Sequence, residues 1–326
     1  MKGIPLSFTI REYERTLPLV RGEVRVEGVS PAFVPFEIDN FRRMLAFDEY
    51  DVSEMSMSSY LIAREKGTKV VAIPVFPHRR FRHSYIFVGS DGRIREPKDL
   101  VGKKVGIPEY QITALVWIRG FLQHDYDVRP EQIRWFSDRE DRLAVAFPKK
   151  VTIEKVPPRS KERLFLEGKL DAIIDGKVPG IFLDGNEKIR RLFENYREVE
   201  TEYYRRTGIF PIMHTVVVRK KILAENPWVA VSIWKAFAEA KLRSYQRMND
   251  PRLSNLVWPL KYADEEQMIL GKDPWRYNVG DNMKALETLV QYEREQGLIT
   301  KAQKVEDLFA PNTYDLNEEK LVPYDL

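Results

Sequence analysis

The chain has 326 residues, 43 % of them aliphatic or aromatic, and 53 Lys and Arg residues stand against 49 Asp and Glu residues. This length predicts two lobes of roughly 100 to 200 residues each, and apolar residues in short blocks between charged stretches exclude an intrinsically disordered chain. The small excess of positive charge gives no reason to expect a nucleic-acid partner. The absence of Cys excludes disulfides, thiolate metal sites and Cys nucleophiles.

The sequence predicts neither export nor a membrane partner. Arg11, Glu12, Glu14 and Arg15 bring charge into the N-terminal region before any apolar run long enough for a signal peptide. No run approaches the roughly 18 apolar residues that a membrane-spanning helix needs. We therefore expect a cytoplasmic protein.

The first 90 residues alternate predicted strands with predicted helices. The strands are expected at 6–10, 50–55, 70–75 and 84–88, and the helices at 41–47 and from Ser58 or Ser59 onward. Pro74 and Pro77 are expected to end the third strand. Because ligands of open α/β sheets bind at the carboxyl ends of strands, Tyr13 and Arg15, just after the first strand, are expected to face the ligand.

A second series of strands and helices follows. Strands are predicted at 104–107, 151–156, 172–174 and 215–219, helices at 96–100, 113–122 and 161–167, and mostly helix from 226 to about 308. One series inserted in another, with a helical return, is typical of the two-lobed α/β fold of type 2 periplasmic binding proteins, which has a ligand cleft between the lobes. We predict lobe I at 1–89 and 211–326, lobe II at 90–210, and a hinge formed by crossing strands near 84–88 and 208–214.

Three Arg and two His residues are concentrated in the segment 76–84. An Arg side chain can grip a carboxylate through two parallel hydrogen bonds, which predicts an anion site at Arg79 and Arg82. His83 is the preferred candidate for proton transfer, because a neighbouring carboxylate raises the pKa of an imidazole into the useful range. The alternative is a solvated basic loop.

Polar residues at two predicted helix starts offer further ligand contacts. Gln111 and Thr113 follow a strand and open a helix, where backbone N–H groups lack partners within the helix. Ser58 and Ser59 offer similar ligand contacts at a helix start in lobe I, although Ser residues at such positions are more often simple helix caps. Tyr110 is one of several aromatic residues whose ring face would suit a planar aromatic ligand.

His214 lies on the second predicted crossing strand, where it could meet His83 at the cleft floor, or fill a core position. A metal site formed by His78 and His83 with Glu54 or Glu109 is the less favoured alternative, because no two His residues are spaced as on one helix face. The sequence has no Gly-rich phosphate loop, no nucleophile elbow and no dinucleotide fingerprint. No nucleotide cofactor is therefore expected.

Three groups of segments carry a specific resemblance. They are EMSMSSYL at 54–61, AIPVFP at 72–77 with FRHS at 81–84, and GIPEYQ at 106–111 with TA at 113–114 and WIRG at 117–120. Over most of its length the chain resembles the 4,5-dihydroxyphthalate decarboxylase family, enzymes built on the periplasmic-binding-protein scaffold. It departs from the family pattern at 12–15, where EYER replaces a run like DYDR, and at 175–177, where DGK replaces a loop containing Arg.

The resemblance implies decarboxylation of a hydroxylated aromatic carboxylate such as 4,5-dihydroxyphthalate, by phenol-assisted ring protonation and without an organic cofactor. Two classes of side chain are then assigned. The catalytic candidates are His83, His214, Glu54 and Glu109, with the two Glu residues orienting imidazoles or substrate hydroxyls. The substrate-binding candidates are Arg15, Ser58, Ser59, Arg79, Arg82, Tyr110, Gln111 and Thr113. The competing interpretation is a non-catalytic binding protein for a small aromatic carboxylate, and the sequence leaves a homo-oligomer open.

Overall fold

The computed structural model describes residues 3–145 and 147–318, which form two compact units. Unit 1 comprises the described residues of Met1–Arg79, Ile212–Glu287 and Gln303–Leu326. Unit 2 comprises those of Arg80–Pro211 and Thr288–Ala302. None of the described helices is long and apolar enough to cross a membrane.

The unit bounds differ from the predicted lobes at Pro211, which belongs to unit 2, and in two longer segments. Residues 80–89, which were expected in lobe I, belong to unit 2, because the strand Ile86–Gly89 pairs with two strands of the unit 2 sheet. This strand lies wholly within unit 2. Residues 288–302 also belong to unit 2, where the Tyr292 ring packs against Trp117 at a centroid distance of 5.6 Å.

Eleven strands lie within the described residues. They are β1 Ile4–Thr9, β2 Val29–Phe33, β3 Val52–Ser56, β4 Val70–Arg79, β5 Ile86–Gly89, β6 Lys104–Ile107, β7 Arg134–Ser137, β8 Thr152–Lys155, β9 Ala172–Ile174, β10 Ile189–Arg191 and β11 Ile212–Arg219.

The described residues also form eleven α-helices. They are α1 Leu17–Val20, α2 Asn40–Phe47, α3 Met57–Glu65, α4 Thr113–Tyr126, α5 Lys161–Leu166, α6 Gly180–Leu183, α7 Tyr196–Thr207, α8 Lys220–Glu225, α9 Trp228–Met248, α10 Pro259–Leu270 and α11 Met283–Glu295. The helical region after 226 is thus interrupted by turns and short 3₁₀ segments.

The unit 1 sheet has the strand order β2-β1-β3-β11-β4. Strands β2 and β3 run parallel to β1, whereas β11 runs antiparallel to both β3 and β4. The carboxyl ends of β1, β3 and β4 and the amino end of β11 therefore meet at one edge of the sheet, here called the carboxyl edge. Such an edge is where open α/β sheets bind ligands.

Strand β4 continues through both of its prolines to Arg79, so the expectation that Pro74 and Pro77 end it was wrong. The reason is its position in the sheet. β4 is an edge strand, and Pro is tolerated at an edge because the missing N–H can point away from the ladder. As a result His78 and Arg79 lie on the strand rather than in a loop.

Helix α3 begins at Met57, slightly before the predicted start. Ser56 is its N-cap, and its hydroxyl accepts a hydrogen bond from the N–H of Ser59 at 3.4 Å. Ser58 and Ser59 are buried in the first turn. Because α3 directly follows β3, both hydroxyl-bearing residues lie next to the carboxyl edge of unit 1.

The unit 2 sheet has the order β10-β5-β9-β6-β7-β8. Strands β9, β6, β7 and β8 run parallel to one another, β5 runs antiparallel to β9, and β10 runs antiparallel to β5 and hence in the direction of β9. Phe87, Ile173 and Ile189 pack with Leu164, Phe165 and Leu170 into one of its apolar clusters. Burying a side chain of this size contributes roughly 1.5–3 kcal/mol to stability.

Candidate active site

Glu54 of unit 1 is fully buried at the carboxyl edge and is surrounded by hydrogen-bond donors. Its Oε1 lies 2.5 Å from Nδ1 of His214 and accepts a hydrogen bond from the Tyr13 hydroxyl at 2.7 Å. Its Oε2 accepts from the backbone N–H of Arg11 at 3.0 Å. A buried carboxylate is tolerated only when it is satisfied in this way.

These contacts decide the protonation of Glu54. Burial alone would raise its pKa, but the hydrogen bond and charge of His214, followed by the hydrogen bonds of Tyr13 and Arg11, outweigh burial and lower the pKa. Burial and the charge of Glu54 in turn raise the pKa of Tyr13, so the phenol remains a donor. Because a carboxylate only accepts hydrogen bonds, the proton of a neutral His214 is assigned to Nδ1.

His78 lies beside His214 because the two residues are directly opposite in the β4–β11 pairing. Their rings meet edge to face with centroids 4.7 Å apart, and the Tyr13 ring stacks on His78 at 5.8 Å. Tyr13, Glu54, His78 and His214 therefore form one cluster, here called the dyad site after its Glu54–His214 pair.

Two Arg side chains at the carboxyl edge contact the segment 273–277 of the same unit. The guanidinium of Arg15 lies 3.5 Å from the ring centroid of Trp275 and 4.5 Å from that of Tyr13, and its Nε donates to the Pro77 carbonyl at 2.8 Å. Arg79 is buried and donates to the Pro274 carbonyl at 3.1 Å. Arg15 is thus oriented by two rings and a carbonyl, and Arg79 by a carbonyl.

A buried ion network holds the segment 273–277. Lys241 donates to the carboxylates of Asp273 and Glu318 and to the Trp275 carbonyl at 3.0 Å. The Tyr245 hydroxyl donates to Asp273 at 2.8 Å. One ammonium and two carboxylates are held with little solvent contact, and burial raises the pKa of Glu318 against the opposing charge of Lys241.

Arg82 lies in unit 2 near the start of α4. Its Nη1 donates to the Gly176 carbonyl at 3.0 Å, and burial lowers its pKa to about 10, which leaves it cationic at neutral pH. A Cβ at Gly176 would touch Ile112 and Ala114 at 3.6 and 3.7 Å. Arg82 and the start of α4 therefore both lie beside the loop that contains Gly176.

Glu109 pairs with arginines rather than with an imidazole. It is fully buried, and its Oε1 lies 3.2 Å from Arg139 and 3.0 Å from Arg142. Burial raises its pKa although both arginines oppose the shift. The predicted role of orienting a His residue is not supported by these contacts.

Gln111 and Tyr110, next in sequence, have protein partners within unit 2. The Gln111 amide donates to the Leu143 carbonyl at 2.9 Å and accepts from its N–H at 3.3 Å. The Tyr110 ring is buried 3.6 Å from the guanidinium of Arg119 and packs edge to face on Trp135. Tyr110 therefore has a packing role in unit 2, which the sequence did not distinguish from ligand contact.

His83, also in unit 2, lies among aromatic rings. Its ring stacks on Phe121 at 4.0 Å and meets Phe193 and Tyr203 at 5.4 and 5.3 Å. Burial, reinforced by the charge of Arg206, lowers its pKa to about 3. Its Nδ1 has no hydrogen-bond partner within the described part of the chain, so no carboxylate there is bonded to that nitrogen.

Within unit 1 the structure brings together the predicted residues Glu54, His214, Arg15 and Arg79. The sequence identified neither Tyr13 nor His78 as a partner of the dyad. A signal existed for Tyr13, which follows β1, because the carboxyl ends of parallel strands meet at one edge, whereas the position of His78 on β4 depends on a strand extent that the sequence does not reveal. Across residues 3–145 and 147–318 there is no group of three or more His, Asp or Glu side chains arranged to hold a metal ion.

Comparison with known proteins gives relatives of two kinds. A family model described as an ABC transporter phosphonate periplasmic substrate-binding protein matches residues 23–150. A 4,5-dihydroxyphthalate decarboxylase of Comamonas testosteroni is 34 % identical over 324 residues, covering 95 % of this chain and 98 % of that protein. A second protein of that description, from Pseudomonas putida, is 35 % identical over 216 residues, covering 63 % and 83 %.

Solved structures of low sequence identity share the fold. The aliphatic sulphonate binding protein SsuA of Escherichia coli has a TM-score of 0.57 at 14 % identity and covers 97 % of this chain and 100 % of its own. The desulfurization enzyme DSZB has a TM-score of 0.52 at 11 % identity, with 95 % and 97 % covered. The predicted periplasmic-binding-protein-like α/β fold is thereby confirmed.

Proposed function

Because the chain belongs to the 4,5-dihydroxyphthalate decarboxylase family, we propose that it removes a carboxyl group as CO₂ from a hydroxylated aromatic carboxylate such as 4,5-dihydroxyphthalate. The proposal places proton transfer at the dyad site. It rests above all on the 2.5 Å contact between the buried Glu54 carboxylate and His214. A carboxylate-oriented imidazole is a common arrangement for general acid–base chemistry.

The substrate itself supplies the electron density for the reaction. In 4,5-dihydroxyphthalate each carboxylate is para to a hydroxyl, so loss of the hydroxyl proton pushes electrons onto the ring carbon that bears the carboxylate. That carbon accepts a proton, its bond to the carboxylate breaks, and the bonding pair returns to the ring as CO₂ leaves. The net change replaces one carboxylate by one hydrogen and gives 3,4-dihydroxybenzoate.

His214 is the residue to which we assign proton transfer. As a neutral imidazole it can take the phenol proton at Nε2, and as an imidazolium it can deliver a proton to the ring carbon. Glu54 stabilises the imidazolium and fixes the ring, while Tyr13 keeps the carboxylate in place through its 2.7 Å hydrogen bond. Positioned acid–base groups of this kind typically contribute about 10²–10⁴ in rate.

This assignment reverses the order in which the sequence ranked the two histidines. Burial lowers the pKa of His83 to about 3, which disfavours the imidazolium that would deliver a proton at physiological pH. His214 instead has a carboxylate partner, a neighbouring imidazole in His78, and a place at the carboxyl edge. His214 is therefore preferred over His83 as the proton-transfer residue.

Arg15 and Arg79 are the cations of unit 1 that we assign to substrate carboxylates. A planar guanidinium can bind a carboxylate through two N–H groups, and its stacking on Trp275 holds Arg15 in one orientation. Ser58 and Ser59 lie at the start of α3, beside the same edge. For Arg82, Gln111 and Thr113 of unit 2, substrate binding stays a prediction from the sequence.

The test is a direct assay of turnover. Purified protein is incubated with 4,5-dihydroxyphthalate in D₂O, CO₂ release is followed, and the product is examined by proton NMR. We expect 3,4-dihydroxybenzoate carrying one deuterium at the carbon that lost its carboxyl group. His214→Asn should abolish product formation, whereas the matched change His124→Asn, at a half-exposed histidine paired with Glu295, should leave it intact.

Substrate capture without chemistry is the second candidate. It is favoured by the phosphonate-binding family model at residues 23–150 and by the fold shared with sulphonate-binding proteins. Calorimetric binding of 4,5-dihydroxyphthalate with quantitative recovery of the intact compound after prolonged incubation would support capture and refute the decarboxylase proposal.

A further inference from the structure

One stretch of unit 1 exposes an unusual number of large apolar side chains. Seven of them fall between positions 253 and 268, with exposed fractions from 43 % for Leu260 to 85 % for Met268. They are Leu253, Leu256, Val257, Trp258, Leu260, Tyr262 and Met268. This stretch is called here the apolar segment.

The helix within the apolar segment buries none of its residues in the core of unit 1. Helix α10, which forms most of it, contains no buried residue along its length Pro259–Leu270. A helix in water is normally stabilised by packing one face against the protein, since short isolated helices are marginal. Helix α10 packs on its own unit only through half-buried residues such as Ala263, Ile269 and Leu270, so most of its apolar surface stays exposed.

The exposed area is large enough for a protein interface. A large apolar side chain has a surface of about 150–250 Å². With the exposed fractions given above, the seven side chains together expose on the order of 700 Å². The largest apolar patch of a typical monomer is about 300–600 Å². A stable interface of standard size needs about 800 Å² from each partner, which is close to the area that these seven side chains expose.

The charges of the segment favour a protein partner over a lipid surface. Between Leu253 and Leu260 there is no charged residue. Helix α10 carries Asp264, Glu265 and Glu266 but one basic residue, Lys261, which is paired with Glu265 at 3.3 Å. An anionic membrane attracts basic segments and would repel this helix.

We propose that the apolar segment is the contact surface through which two copies of this chain associate. An uncharged apolar stretch is complementary to a second copy of itself, and a two-fold interface uses the same patch on both subunits. Burying Val257, Trp258 and Met268 against their counterparts would cover the apolar surface that α10 and the residues before it leave exposed. This inference is independent of the proposed enzymatic activity.

Sedimentation velocity of the purified protein over a range of micromolar concentrations tests the proposal. We expect the wild type to sediment with at least twice the mass of one chain, and Val257→Asp and Met268→Asp each to sediment as single chains. Both side chains are at least 80 % exposed, so circular dichroism should show both variants folded. Leu183→Asp, at an exposed apolar residue of unit 2, is the matched control and should keep the wild-type mass.

Three results would overturn the proposal. A wild type that remains a single chain at all concentrations has no such contact. Association that survives both Val257→Asp and Met268→Asp, or that Leu183→Asp abolishes while they do not, would mean that the subunits meet elsewhere.

Discussion

Glu54 and His214 are brought together by the register of two antiparallel strands. His214 on β11 is directly opposite Ser56 on β3, and Glu54 lies two positions earlier on the same face of β3. Because side chains alternate across a sheet, a slip of one residue would point His214 to the opposite face and separate the pair. The dyad therefore depends on strand pairing between segments that are about 160 residues apart.

Replacing Glu54 by Gln should slow turnover strongly while the fold persists. The amide keeps the size of the side chain but removes the charge that stabilises an imidazolium, so we expect kcat to fall by about 10²–10³ within the usual range of acid–base contributions. Initial rates of CO₂ release from pH 5 to pH 9 measure the effect. Glu49→Gln, at a surface carboxylate paired with Arg43, is the matched control, and an equal loss in both variants would contradict the assignment.

His83 predicts a pH dependence of stability. Its pKa is about 3 in the folded chain and about 6.5 when unfolded, so between these values the unfolded chain binds the proton and the folded chain does not. Stability is therefore complete above pH 6.5 and falls as the pH drops toward 3, by up to about 1.4 kcal/mol per pH unit.

The variant His83→Phe should remove this component. Between pH 7 and pH 5 the wild type is expected to lose about 2 kcal/mol more than the variant in its free energy of unfolding, which urea denaturation measures. The phenyl ring can stack on Phe121 as the imidazole does. Equal pH dependence in both proteins would show that burial does not lower the pKa of His83. If His83→Phe lost turnover but kept its stability, His83 would again be a candidate for proton transfer.

Lys241→Met should destabilise unit 1 and weaken substrate binding together. The change leaves Asp273 and Glu318 buried without their cation, which typically costs about 3–5 kcal/mol. The segment 273–277 should loosen, and because Arg15 and Arg79 contact it, KM should rise more than kcat falls in the fraction that remains folded. Arg243→Met, on the same helix but paired at the surface with Glu239, should change stability by about 0.5 kcal/mol.

Gly120→Ala tests the packing of unit 2. A Cβ at this position would lie 2.0 Å from ring carbons of Tyr292, so the ring must move. Overpacking of this kind costs about 1–3 kcal/mol, and the higher helix propensity of Ala returns about 1 kcal/mol, so we expect a net loss of up to about 2 kcal/mol in thermal unfolding. Gly280→Ala has only an ordinary contact at 3.7 Å and should be close to neutral.

The sequence predicts the fold better than it predicts the site. Strands with β-branched runs, such as β6 and β9, were located to the residue because their apolar blocks are short and sharply bounded. The extent of β4 could not be predicted, because the tolerance of Pro74 and Pro77 depends on the strand lying at a sheet edge. That position is a property of the topology, to which β11 contributes from far along the chain.

The histidines show the same limit for the site. His83 and His214 were both plausible, since each lies near a predicted strand end, but only the structure shows aromatic rings around one and a carboxylate beside the other. Phe121, Phe193 and Tyr203, which surround His83, are scattered over 83 positions of the sequence. No local sequence pattern predicts that these rings surround His83. Arg15, in contrast, follows β1 directly, so the direction of that strand is enough to predict its place at the carboxyl edge.

The insertion of β11 between β3 and β4 also has a consequence for biosynthesis. Residues 80–211 must leave the ribosome before β11 can pair, a delay of roughly ten seconds at translation rates of about 5–20 residues per second. During that interval β3 and β4 lack the strand that lies between them in the finished sheet, so their backbone edges are open to pairing with other nascent chains. Expression yield should therefore depend on chaperone supply more than the stability of the mature protein would indicate.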